Sequence, residues 1–162
     1  MRAPLLAALV LAGLLPAAPS HAQDAGPVFT ASLGGGAELG LDEGEDEGLA
    51  ELEATAGWEF ADFPVRPEVG LVVGLQPDTH AGFRAGLRYL FPDSPFQLRA
   101  AFESSSVRNR DLFYRRAILL GVAAEARITG EFGLFAELDS GIPLRDSAGV
   151  PLLFRGGASL RF

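Results

Sequence analysis

LLFRGGASLRF, Leu152 to Phe162, places an apolar or small residue at every second position: Leu152, Phe154, Gly156, Ala158, Leu160 and Phe162. Arg155, Ser159 and Arg161 fall between them. A period of two marks a β-strand with two chemically different faces. The same alternation recurs back along the chain, and no stretch after residue 22 sustains a helical period. Eight strand segments are predicted: 29–39, 49–60, 65–76, 81–91, 96–103, 114–128, 131–139 and 152–162. In 65–76, Val65, Val69, Leu71, Val73 and Leu75 oppose Arg66, Glu68 and Gln76. Most segments run to about 9–12 residues, long enough for a tilted strand to cross a bilayer and longer than the five or six usual in soluble sheets.

The other end of the chain bears on compartment. Met1-Arg2 is followed by the apolar run LLAALVLAGLL at 5–15 and then PAAPSHA at 16–22. Charge, apolar core and small residues in that order predict a secretory signal peptide cleaved after Ala22. The run is shorter than the ~20 residues of a spanning helix, and the small residues and prolines after it argue against an uncleaved anchor. Residues 23–162 make one domain. The chain has no cysteine, which excludes a lipid anchor on cysteine and any disulfide staple. An exported domain of this kind must be stabilised by packing or by closed hydrogen bonding. All 21 acidic residues but only 12 of the 13 basic ones lie after residue 22. That balance argues against nucleic acid and against adsorption on an anionic lipid surface.

Alternation alone does not say which face is inside. A soluble lipocalin-like barrel turns its apolar face inward, and a membrane barrel does the reverse. Three features favour the membrane barrel. Aromatic residues gather toward segment ends: Phe29, Trp58, Phe60, Tyr89, Phe91, Phe96, Phe102, Tyr114, Phe132, Phe154 and Phe162. Rings of this kind prefer the headgroup level of a bilayer. The connections at 61–64, 92–95 and 129–130 are tight, whereas those at 40–48, 104–113 and 140–151 are long; 77–80 is a short exception. Finally, the polar face carries both signs in mid-strand. Glu38, Glu53, Arg84, Arg88, Arg99, Glu125, Glu137 and Arg155 are the candidate members of a charge network that neutralises itself inside a closed tube.

With these features assembled, the chain resembles the small eight-stranded outer-membrane β-barrels of Gram-negative bacteria, the OmpA/OmpX-like group. The resemblance spans residues 23–162. It implies an all-β, eight-stranded antiparallel up-and-down transmembrane β-barrel in the cell outer membrane. In that group the last strand ends on an aromatic residue, here Phe162, preceded by outward apolar residues, here Leu160, Ala158 and Phe154. The resemblance implies that outer-membrane assembly machinery reads Phe154, Leu160 and Phe162. It identifies an architecture and not an activity.

An even strand number brings both termini to one side and lets the last strand close on the first. Eight strands enclose room for side chains only, so a filled lumen with no wide pore is expected. Inward glycines make space for long arginines, while Val72, Leu119 and Phe135 put apolar groups on the polar face without evident reason. The acidic run LDEGEDEG at 41–48 lacks the ordered ligand spacing of an EF-hand loop and reads as a solvated loop, divalent-cation binding being the alternative. SSSVRNRDLFYRR at 104–116 is a basic counterpart, suited to anionic lipid heads or to the acidic loop, the equal alternative being arginines that merely snorkel at the interface.

His80, the one histidine after residue 22, reads as a solvated turn residue with no catalytic partner beside it. The expectation is therefore a non-enzymatic monomer without cofactor or metal. Its partners would be outer-membrane lipid and lipopolysaccharide, and its role structural or one of interaction through surface loops. A narrow channel for ions or small solutes, a lipid A-modifying barrel enzyme and a soluble carrier are the alternatives.

Overall fold

The alternation described above is carried by backbone pairing around a full circle. The computed structural model describes residues 25–39, 47–76, 79–107, 115–144 and 150–162. The expected signal peptide and most of the acidic run lie outside them. Eight strands follow one another: β1 Gly26–Leu39, β2 Glu47–Glu59, β3 Val65–Gln76, β4 His80–Leu90, β5 Phe96–Val107, β6 Arg115–Arg127, β7 Phe132–Pro143 and β8 Val150–Arg161. Each pairs antiparallel with the next, and β8 pairs with β1, from Val28↔Arg161 to Leu39↔Val150. The barrel is closed, so no strand edge is left to template pairing with another chain.

Three tight turns lie at the end of the barrel that also carries Gly26 and Arg161, called here the turn end. Phe60 and Phe63 bridge across the first. In the second, Asp93 takes the left-handed conformation (φ 57°), which a short polar side chain tolerates better than most. The hydroxyl of Ser94 there accepts a hydrogen bond from the Phe96 N–H at 3.1 Å. In the third, Thr129 Oγ1 accepts from the Phe132 N–H at 2.9 Å. Such side-chain acceptors satisfy backbone donors that the ladders leave over. The opposite end, where the remaining connections lie, is called the loop end.

Inward and outward faces follow the sequence pattern. Leu71, Leu120 and Leu160 point out of the barrel, 71%, 50% and 46% exposed. Arg66, Arg84, Arg88, Arg99 and Arg155 point in and are buried.

Four expectations are corrected. β5 continues to Val107 instead of stopping at 103, with Ser104 opposite Phe83 and Ser105 opposite Gly82. A run of serines reads as a loop, but Ser104 and Ser105 keep the alternation, Ser105 inward and Ser104 outward in register, and the pairing does not break. β7 likewise continues to Pro143, because Gly141 and Ile142 keep the in-and-out order opposite Leu119 and Ile118. Phe102 and Phe154 stand in mid-strand, not at an end; Tyr114 lies outside the described residues. His80 is not solvated. It is the first residue of β4, 6% exposed, and its ring lies over Gly74, the residue it faces on β3. A Cβ at 74 would occupy the ring's place.

Candidate functional site: the ion-paired lumen

Strand register sets the problem that the lumen has to solve. Arg66, Arg88 and Arg99 stand side by side on β3, β4 and β5, since Arg66 faces Arg88 and Arg88 faces Arg99. Like charges in directly opposed positions repel. The row is held by carboxylates from its own and more distant strands. Glu68 Oε2 accepts from Arg88 Nε at 3.0 Å and its Oε1 lies 2.5 Å from Arg99 Nε. Glu137, on β7, reaches Arg88 at 2.5 Å and Arg99 at 3.0 Å.

Arg84 is the most enclosed of the guanidiniums, 0% exposed. Its Nε and Nη2 donate to Glu103 Oε2 at 2.8 and 2.6 Å, a fork against the neighbouring strand. Its Nη1 donates to Glu53 at 2.6 Å and its Nη2 to Glu51 at 2.9 Å. A guanidinium with five donors in a fixed plane can serve three carboxylates at once; an ammonium cannot do so with the same geometry. Arg155 works similarly from β8, pairing with Glu53, with Asp139 and, at 2.5 Å, with Glu137. Its stem passes over Gly34, its register partner on β1, where a larger residue would collide with it.

Glu53 and Glu137 are the hubs. Glu53 binds Arg84, Arg99 and Arg155. Glu137 binds Arg88, Arg99 and Arg155. Most of these contacts reach past the neighbouring strand, as β2 meets β5, β4 meets β7 and β8 meets β2, while Glu137 and Arg155 are direct partners on adjacent β7 and β8. Nearer the turn end a second group forms around two carboxylates. Glu59 accepts from Arg66 at 2.8 Å and from Arg161 at 3.3 Å. Arg127, whose side chain is 25% exposed, lies 3.8 Å away. Glu125 accepts from Arg161 and from Gln97, both at 2.7 Å, and from the Ser159 hydroxyl.

Of the eight residues chosen from sequence for the network, Glu53, Arg84, Arg88, Arg99, Glu125, Glu137 and Arg155 are buried in the lumen and ion-paired. Glu38 is half-buried at the loop end of β1, opposite Pro151. Glu51, Glu59, Arg66, Glu68, Glu103, Asp139 and Arg161 are further members of the network beyond the eight candidates. Glu103 and Asp139 end the predicted segments 96–103 and 131–139 but stand within β5 and β7.

The apolar exceptions also find a place. Four apolar inward residues lie on the loop side of the charges of their strands: Leu49 before Glu51, Val72 after Glu68, Leu119 before Glu125 and Leu153 before Arg155, all buried, whereas Val28 and Leu90 are buried inward at the turn end. Pro151 and Leu119 close over Gly141. The Phe135 ring covers Gly157, its neighbour on β8. The lumen is therefore ionic at its middle, while apolar and polar side chains share both ends, Leu49, Leu119, Leu153, His80 and Ser105 toward the loops and Val28, Leu90, Glu59 and Arg161 toward the turns. Opposite walls are tied through side chains, and the space is occupied.

The outer wall is the chemical opposite. Its outward positions are Phe, Trp, Tyr, Leu, Ile, Val, Ala, Gly and Pro, with serines only near the loop end. Arg116 is the one charged outward residue among the described strand positions whose side chains are placed. Phe154, Leu160 and Phe162 are all outward and exposed, and the Phe162 N–H donates to Pro27 O at 3.2 Å.

No protein-family model matches this chain, and no curated protein matches it. Among solved structures, the chain is similar to the solution NMR structure of de novo designed TMB2.3, at 16% identity, with 86% of this chain and 98% of that chain covered and a TM-score of 0.47. The barrel described above rests on this chain's own strand pairing. The chain is an all-β protein built as one closed antiparallel barrel of eight strands.

Proposed function

We propose that this protein is an outer-membrane β-barrel of the OmpA/OmpX-like kind, non-enzymatic and monomeric, acting structurally or through its loops. The observation that carries this reading is the outer wall: apolar around the whole circumference and almost free of charge, on a barrel whose charges pair inside. In water such a wall would leave more contiguous apolar surface exposed than soluble monomers carry. In lipid it is the favoured arrangement, because a closed ladder leaves no backbone polar group unpaired. Phe154, Leu160 and Phe162 on the lipid-facing side of β8 fit a recognition signal for outer-membrane assembly machinery. Lipid and lipopolysaccharide are then the immediate partners.

The occupied lumen supports a closed barrel. Purified protein in planar bilayers tests this. Silence at high protein density is the expected result, and discrete conductance steps would replace the reading by a narrow channel. The absence of enzymatic activity has its own test. Lipid A mass spectra should be unchanged on deletion or overexpression, and a changed acylation pattern would establish a lipid A-modifying enzyme. Gel mobility of the outer-membrane fraction, boiled against unboiled, tests location. A heat-dependent shift confined to that fraction is expected.

A further inference from the structure

Among the described residues, every ladder of the barrel but one keeps a single register from end to end; the exception is β2–β3. It runs unbroken only from Glu51↔Gly74 to Gly57↔Glu68. At the loop end Leu75 is an extra residue, since Ala50 pairs with Gln76 and Glu51 with Gly74. At the turn end the mismatch is larger. From Gly57↔Glu68 to the Phe60↔Phe63 bridge, the β2 side advances three residues and the β3 side five. Pro64 and Pro67 lie in that longer stretch. Extra residues on one strand of a pair interrupt its bonds and bend it.

Pro67 also removes a donor that this ladder needs. Pro64 O accepts from the Leu90 N–H at 2.8 Å, so residue 64 bonds toward β4. Bonding direction alternates along an antiparallel strand, which turns Arg66 and Glu68 toward β4 as well, and Val65, Pro67 and Val69 toward β2. A proline has no N–H to give there. Position 67 is outward and exposed, so no packing need explains the ring. One side-chain pair spans the gap instead. Arg66 Nη1 donates to Glu59 Oε1 at 2.8 Å, both residues being buried. Glu59 is held besides by Arg161 of β8 at 3.3 Å. Among the described residues, the other carboxylate near Arg66 is Glu68, at 3.9 Å. Arg88, directly opposite Arg66, is a like charge that favours the turn of Arg66 toward Glu59.

We infer that the β2–β3 seam is where this barrel opens sideways: at the turn end, 58–60 part reversibly from 64–67, and the Arg66–Glu59 pair is the latch that holds them together. Parting there gives an otherwise filled lumen a side entrance for water. The inference goes beyond the function proposed above and stands on strand pairing alone, so its failure would leave the membrane reading untouched.

The test is amide hydrogen exchange of the full chain folded in detergent micelles, read residue by residue by NMR, since local opening sets the protection of each amide. Trp58 and Val65 are compared with Val28 and Gly57, which face each other on the neighbouring β1–β2 seam at the same end. Protection of Trp58 and Val65 should be lower by about fivefold, the factor that one missing hydrogen bond corresponds to. Arg66→Met should lower it by about tenfold more, as expected for a bond between charged groups, and leave Val28 and Gly57 unchanged. Pro67→Val returns the donor at an exposed position and should raise the protection of Trp58. This second variant decides the matter if Arg66→Met does not fold. Equal protection of the two seams overturns the inference. So does an Arg66→Met effect spread evenly over all strands, or a Pro67→Val barrel in which Trp58 exchanges as before.

Discussion

Successive residues on these strands occupy opposite media. Leu138 is exposed on the outer wall and Asp139 is fully buried in the lumen; Leu71 and Val72, or Phe154 and Arg155, repeat the contrast. The outer wall is a set of nearly independent apolar contacts, each replaceable by another of similar size. The inner wall is a coupled system in which one guanidinium serves up to four carboxylates and one carboxylate up to three guanidiniums. The comparison teaches that the same strand pattern fixes two different sensitivities. Outside, adding a charge is harmful; inside, removing one is.

The largest effect is expected from breaking the inside. Arg155→Met strips Glu53, Glu137 and Asp139 of a shared partner. Leaving buried charges uncompensated costs about 3–5 kcal/mol, read as a lowered urea midpoint for unfolding from detergent micelles. Breaking the outside comes next. Leu120→Arg, at the centre of β6, should cost about 2–4 kcal/mol in a bilayer, measured by folding into vesicles of defined thickness.

Two smaller changes sharpen the gradient within the lumen. Thr30 and Thr55 share a hydroxyl–hydroxyl contact of 2.6 Å between β1 and β2. Thr55→Val removes one partner and should cost about 1 kcal/mol by the same urea measurement. Arg127→Gln, at the partly exposed turn-end mouth and 3.8 Å from Glu59, should cost less than about 1 kcal/mol, as solvated ion pairs do. If Arg127→Gln equals Arg155→Met, the lumen is not the graded medium described here.

The strand count, the antiparallel closure and the identity of the two walls were legible in the sequence, because a period of two assigns each residue to a face without reference to its neighbours. β3 was read with its observed ends. Two limits of β5 and β7 were missed for one reason: Ser104 to Val107 and Ser140 to Pro143 have turn-like composition, yet their register partners continue the ladder. The membership of the network was legible in outline only. Which charges meet depends on stagger around the barrel, and contacts such as Glu53 with Arg99 join strands three apart, a relation no local pattern encodes. His80 shows the same limit. Its burial follows from Gly74 standing opposite it, and that pairing is fixed by the short β3–β4 connection and not by either residue alone.

The central claim, that the apolar wall touches lipid while the charges face one another, can be tested on β3 alone. The chain has no cysteine, so single cysteines at Val69, Leu71, Val73 and Leu75 accept a nitroxide label without background. With the full chain in lipid vesicles, all four labels should collide readily with dissolved oxygen and scarcely with a water-soluble nickel complex, the contrast being greatest toward the middle of the strand. Free collision of all four with the aqueous nickel complex would place this wall in water and contradict the account.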